Sequence, residues 1–207
     1  MAIIEVVFPQ LKSDPESKKS LPEKLPIVVK SFQDGGVLRG VRGFLVSEDG
    51  KDVSADYREV VVLEWASTSD FHAFVASPTF ANMQAAIKPI SNGPPELNVF
   101  ETNDGSQLFG THPVLEILRI RPKGASIDEH VQTILKKLQT KLHNDSEAVY
   151  GSSVNLPQKE VAVIKVFENK ASLDAANNAS SRQELLKEIG DLAEVTRLVA
   201  DIQQIPI

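Results

Sequence analysis

EVVVLEWASTSDFHAFVASPTFANM, residues 59–83, is the stretch whose reading decides the fold. Its first seven residues are rich in β-branched side chains and lack clean polar/apolar alternation. That is the pattern of a strand covered on both faces. Ser67-Thr68-Ser69-Asp70 follows, a run of residues whose short side chains accept hydrogen bonds from the free N–H groups of a helix start. The rest reads as helix, with a restart at Ser77-Pro78. Serine suits the cap, and proline suits the first helical position, where its missing N–H costs nothing.

Upstream, Ala2 to Pro9 (AIIEVVFP) reads as a buried strand. Gln10 to Pro26 holds three prolines and a Ser/Lys/Glu cluster and reads as a surface loop. A short helix with Leu25, Val28, Val29 and Phe32 on one face is expected next, stopped by Asp34-Gly35-Gly36. Val37 to Val46 reads as a strand weakened or bulged at Gly40 and Gly43. Glu48-Asp49-Gly50 marks a turn before the strand Tyr57 to Trp65. Downstream, Ser91-Asn92-Gly93-Pro94-Pro95 stops the helix, Leu97 to Glu101 reads as a fourth strand, and Asn103 to Ser106 as a linker.

The order then recurs. Val114 to Ile120 reads as strand, and Ser126-x-x-Glu129 opens an amphipathic helix with Ile127, Val131, Ile134, Leu135, Leu138 and Leu142 at helical spacing. Glu147 to Val154 is a weak strand and Glu160 to Glu168 a strong one. Leu173 to Ile189 reads as one helix with a capping box at Ser181-x-x-Glu184, and the tail Val195 to Ile205 as strand by analogy with the first half. The fold class expected is α+β, two tandem ferredoxin-like βαββαβ units. The expected domains are 1–104, holding the ligand pocket, and 105–207, a degenerate scaffold. A shift of 104 residues aligns Val62 with Val166 and Ser77 with Ser181, and Glu5 falls on Glu116.

Composition narrows the functions. The 207 residues include no cysteine, so disulfides, zinc-thiolate sites, iron-sulfur clusters and cysteine nucleophiles are excluded. A net charge of −6 argues against nucleic-acid or anionic-membrane partners, which call for a basic face. No basic n-region opens the chain and no apolar run reaches membrane-span length, so a cytoplasmic, soluble protein is expected. There is no nucleophile elbow, phosphate loop, dinucleotide fingerprint or His-Glu-x-x-His pair.

Strand, Trp65, and a capped helix reading Ala73-Phe74-Val75-Ala76-Ser77-Pro78-Thr79-Phe80 resemble the dimeric α/β-barrel superfamily. The branch is the antibiotic-biosynthesis-monooxygenase-like proteins in the tandem form common in fungi. The resemblance implies two four-stranded antiparallel sheets packed into an α/β barrel. One chain closes the barrel as an internal pseudo-dimer and stays monomeric, or two chains form a homodimer. It also implies secondary metabolism: cofactor-independent oxygenation, decarboxylation, cyclisation or isomerisation of an apolar aromatic or polyketide-like molecule, with no metal and no prosthetic group. Alternatives from the same resemblance are a non-catalytic ligand-binding or stress-response barrel, and a haem-binding or haem-degrading relative. Against haem, the family's histidine positions hold Phe74 and Thr79 here, neither of which ligates iron. At the 104-residue shift Asn169, Asn178 and Glu184 stand for Trp65, Phe74 and Phe80.

Candidate site residues follow. Trp65, Phe71, Phe74, Phe80 and Met83 read either as core beneath the helix or as a wall for a flat aromatic ligand. Tyr57 shares strand parity with Trp65, so a phenol and an indole facing one side could orient a phenolic substrate. Tyr57 and His72 are the catalytic candidates, His72 reading otherwise as a solvated helix histidine. Asn98 is a candidate hydrogen-bond donor to a substrate oxygen. Arg39, Arg42, Arg119 and Arg121 fix either a ligand carboxylate or an acidic side chain. His112, His130 and His143 fit no metal spacing.

Overall fold

The structure, a computed structural model, describes residues 2–142 and 148–207. His143 and the Glu147 start of the expected weak strand lie outside the described residues. The first half runs β1 (Ala2–Phe8), α1 (Pro15–Gly35), β2 (Arg39–Glu48), the two-residue β3 (Lys51–Asp52), β4 (Glu59–Trp65), α2 (Thr68–Val75), α3 (Pro78–Ile87) and β5 (Glu96–Thr102). The second runs β6 (Val114–Pro122), α4 (Ile127–Leu142), β7 (Val149–Ser153), β8 (Val161–Phe167), α5 (Lys170–Asn178), α6 (Ser180–Gly190) and β9 (Ala193–Gln204).

Eight strands close one antiparallel barrel in the order β2-β4-β1-β5-β7-β8-β6-β9, with β9 pairing back onto β2 and β3 extending the edge of β2. The neighbour order β2-β4-β1-β5 recurs as β7-β8-β6-β9. Strand alternation sorts the side chains. Ile4, Val6, Phe8, Val60 and Val62 point into the barrel, where Leu108 and Phe109 help fill it. Ile3, Val7, Val61, Leu63 and Trp65 point outward beneath the helices. Burial on both faces is why all seven residues of β4 are buried, and why its sequence does not alternate.

The helix expected at Leu25–Phe32 begins ten residues earlier. Asp14 caps it, taking a hydrogen bond from Ser17 N–H at 2.9 Å, and Pro15 occupies the first turn. Pro22 and Pro26 sit inside the helix on its exposed side, where the carbonyls they leave unpaired meet water. The single helix expected over Leu173–Ile189 is two. α5 ends at Asn178, α6 starts at Ser180 with Ala179 at its N-cap position and no side-chain cap, and the capping box is Asn169 with Ser172 rather than Ser181 with Glu184.

Gly43 does not mark the bulge in β2, which falls between Leu45 and Ser47. It sits at the seam with β9, where a Cβ would stand 1.9 Å from the Asp201 carbonyl oxygen. Gly151 does the same at the β5–β7 seam, 2.0 Å from the Glu101 carbonyl oxygen. Both closures of the barrel are therefore glycine-lined close approaches.

Candidate functional site

A cavity of about 640 Å³ lies between the outer face of the first-half sheet and helices α1 and α3. Its floor includes Glu5 and Val7 of β1, Val61 and Leu63 of β4, and Leu97 of β5. α1 contributes Leu21, Leu25, Val28 and Phe32, and α3 contributes Phe80 and Met83. Leu25 and Val28 are only half-buried, because they face open space rather than packed atoms. At one end, the segments around Leu11 and Ser91 are stitched together: Leu11 bridges Ser91, and Asn92 N–H donates to the Gln10 carbonyl at 2.7 Å.

The polar groups on this apolar wall are few, and Glu5 is the unusual one. It sits mid-strand, 3% exposed, opposite Leu63 on one side and Val99 on the other. Trp65 Nε1 donates to its carboxylate at 2.8 Å, and Trp65 is its one hydrogen-bonding partner among the described residues. Burial pushes the Glu5 carboxyl up to about 7, and the Trp65 hydrogen bond only partly opposes it. Arg42 and Glu59 also line the cavity, but they neutralise each other, with Arg42 Nε donating to Glu59 at 2.7 Å. Burial raises the Glu59 carboxyl despite that arginine. Lys88 is the remaining charged group on the lining.

The second half treats the same position differently. Glu116 occupies in β6 the place of Glu5 in β1: Val114, two residues before it, pairs with Phe167, as Ile3 pairs with Trp65. Arg182, the third residue of α6, stands where Phe80 is the third residue of α3. Arg197 lies opposite Leu118, as Leu97 lies opposite Val7. Both arginines bind Glu116, Arg197 Nε at 2.6 Å. Two apolar wall residues of the first half are thus arginines in the second, and their guanidiniums pair with its buried carboxylate. The counterpart of Trp65 is Phe167, not Asn169, and that of Phe80 is Arg182, not Glu184. The shift is two residues shorter than the 104 read from sequence matches, as Asn169 caps α5 where Ser67 caps α2.

Of the sequence candidates, Phe74, Phe80 and Met83 line the cavity. Trp65 and Phe71 pack behind the wall, with ring centroids 6.0 Å apart, and Trp65 reaches the cavity only through Glu5. Tyr57 corrects the parity argument. It precedes β4, adopts φ 55°, stacks on Phe44 and lines a separate recess of about 200 Å³ beside Arg119. His72 is exposed on α2, beside Phe71 and away from the cavity. Asn98 points to the opposite face of β5 from Leu97; its Nδ2 donates to the Val6 carbonyl at 3.4 Å and to Glu96 at 3.2 Å. The arginines hold acidic side chains: Arg39 with Glu64, Arg42 with Glu59, Arg119 with Glu96 and Glu160, Arg121 with Glu160. Glu5 is the residue that sequence reasoning passed over, though a lone charge inside AIIEVVF is a legible signal.

Haem does not fit this lining. Among the described residues it holds no histidine, cysteine or tyrosine, the usual axial ligands, and its one soft donor is the Met83 thioether. Among the described residues no three His, Asp or Glu side chains gather as a metal site, and no helix is long and apolar enough to cross a membrane.

No protein-family model matches the chain, and no curated protein matches it. Solved structures do. A candidate monooxygenase from Lactobacillus acidophilus NCFM aligns over 98% of this chain and 93% of its own, with TM-score 0.63 and 13% identity. A candidate monooxygenase from Fusobacterium nucleatum aligns over 99% and 94%, with TM-score 0.64 and 10% identity. An anthrone oxidase-like protein aligns over 100% and 94%, with TM-score 0.59 and 11% identity. At these identities the likeness is one of fold.

Proposed function

We propose that the chain binds a small, flat, largely apolar aromatic or polyketide-like molecule in the first-half cavity and oxygenates it without metal or prosthetic group. The observation that carries this reading is the cavity itself: an apolar slot of about 640 Å³ beside one un-neutralised buried carboxyl. Slots of this size and polarity enclose flat ligands and exclude water. The fold neighbours named as monooxygenases and anthrone oxidase-like are consistent with it. The reaction is that of an activated aryl methylene: CH2 plus dioxygen gives C=O plus water. Residues 1–104 are read as the pocket-bearing domain and 105–207 as its scaffold, because the Glu116–Arg182–Arg197 cluster occupies the equivalent space in the second half.

The absence of histidine and tyrosine from the lining favours a second reading, a carrier that binds without turnover. One experiment separates the two. Anthrone is added to the protein in aerated buffer; quenching of Trp65, the single tryptophan of the chain, reports binding, and an oxygen electrode with anthraquinone absorbance reports turnover. Saturable quenching with one dioxygen consumed per anthraquinone, above the buffer rate, supports the oxygenase. Quenching alone supports the carrier, and neither signal removes the aromatic-ligand reading.

A further inference from the structure

We infer that Glu5 is the catalytic base of this cavity, and that the cavity selects molecules that enter neutral and carry one weakly acidic O–H or C–H, such as hydroxyarenes and enolisable aryl ketones. This rests on the oxygenase reading and gives it a reacting group. Burying a carboxylate without a cation is costly, and the second half avoids that cost at Glu116 with two arginines. The first half holds Phe80 and Leu97 at those places and leaves the space beside Glu5 open. A destabilising arrangement kept only where there is a cavity marks a group with chemistry to perform.

The surroundings restrict what else could act. From β2 and β4 the charged groups facing the cavity are Arg42 and Glu59, which hold each other. α1 contributes apolar side chains, α3 contributes the neutral Gln84, and Lys88 follows α3. Trp65 fixes one carboxylate oxygen, leaving the other for the ligand. In the step, the free oxygen of Glu5 forms an O–H bond while the ligand's acidic C–H or O–H bond breaks, and its electron pair stays in the ring system. The wall beside Glu5 is apolar and Lys88 on the lining is exposed to water, so a ligand that is already anionic is disfavoured against the Glu5 carboxylate. A carbanion formed this way adds dioxygen, and Glu5 returns the proton to the peroxide. Loss of the second C–H proton with O–O cleavage then gives the ketone and water. The carboxyl value near 7 places Glu5 between its two protonation states at neutral pH, as proton exchange in both directions requires.

The test follows anthrone oxidation by the full chain as a function of pH, with Glu5→Gln and Trp65→Phe. The wild-type rate rises with pH through a midpoint near 7. Glu5→Gln keeps the wild-type circular dichroism and binds anthrone within about threefold, yet loses about 100-fold or more in rate. Trp65→Phe removes the hydrogen bond that lowers the carboxyl, so its midpoint moves upward, which a merely structural residue would not do. A Glu5→Gln variant with the wild-type rate and midpoint overturns the inference and leaves the oxygenase reading standing. Loss of binding together with rate makes Glu5 a binding group and overturns it as well. A wild-type protein that never oxidises anthrone above buffer removes the oxygenase reading and this inference together.

Discussion

Raised from 4.5 to about 7, the Glu5 carboxyl holds its proton more tightly in the folded protein than in the unfolded chain. The folded state therefore carries the extra proton between those two values, and stability falls as pH rises across that window. The contribution is complete below about pH 4.5 and gone above about 7, and its full size is about 3 kcal/mol. Glu5→Gln should flatten this part of the stability-against-pH curve and leave the variant more stable than wild type at pH 8, as read by urea unfolding at several pH values. The Arg42–Glu59 pair behaves oppositely to a surface pair. Arg42→Met strands a buried carboxylate and should cost about 3–5 kcal/mol, most of it recovered when Glu59→Leu is added. Glu5 is conspicuous in the sequence as a charge within an apolar strand. The cavity beside it is not, because its walls come from residues 5 to 97 together with Ile205 near the end of the chain, and no local pattern encodes a void.

Helices α3 and α6 have the same position in the fold and opposite effects on it. Phe80 of α3 leaves a cavity, whereas Arg182 of α6, with Arg197 of β9, engages Glu116. Arg182→Phe combined with Arg197→Leu should destabilise the protein by about 3–5 kcal/mol, because Glu116 is left buried and unpaired. Adding Glu116→Leu should restore most of that loss, both read by urea unfolding. The seams are a second test at this scale. Gly43→Ala sets a methyl 1.9 Å from the Asp201 carbonyl oxygen, so β2 and β9 must part. A loss of about 3 kcal/mol is expected, with faster amide exchange along that strand pair. α1 shows why local reading stopped short: each interior proline disfavours helix by about 3 kcal/mol in isolation. Here Leu21 and Phe32 bury their side chains against the domain, and the prolines face water.

Closure of eight strands within one chain leaves neither sheet an unpaired edge at the two seams, which removes the usual reason for two such chains to associate. Native mass spectrometry should accordingly give a species near 22.6 kDa, and a dominant species of twice that mass would show that the helical faces pair. A bound adduct on the monomer would come from the first-half cavity and should vanish on filling it, for example with Val28→Trp.

Strand identity, the Ser67 and Ser77 helix caps and the twofold recurrence of βαββαβ order were determined by the sequence alone. Each depends on neighbours within a few residues: β-branched runs, capping side chains, a proline after serine. The long α1, the break at Ala179, the counterpart of Trp65 and the pairing of every candidate arginine were decided by tertiary structure. So was the contrast between Glu5, which lines a cavity, and Glu116, which two arginines hold. These depend on which side chains from distant segments meet across a sheet face. Glu5 and Glu116 occupy equivalent strand positions, and only their distant neighbours put Glu116 in a buried ion cluster and leave Glu5 buried beside a cavity with Trp65 as its partner.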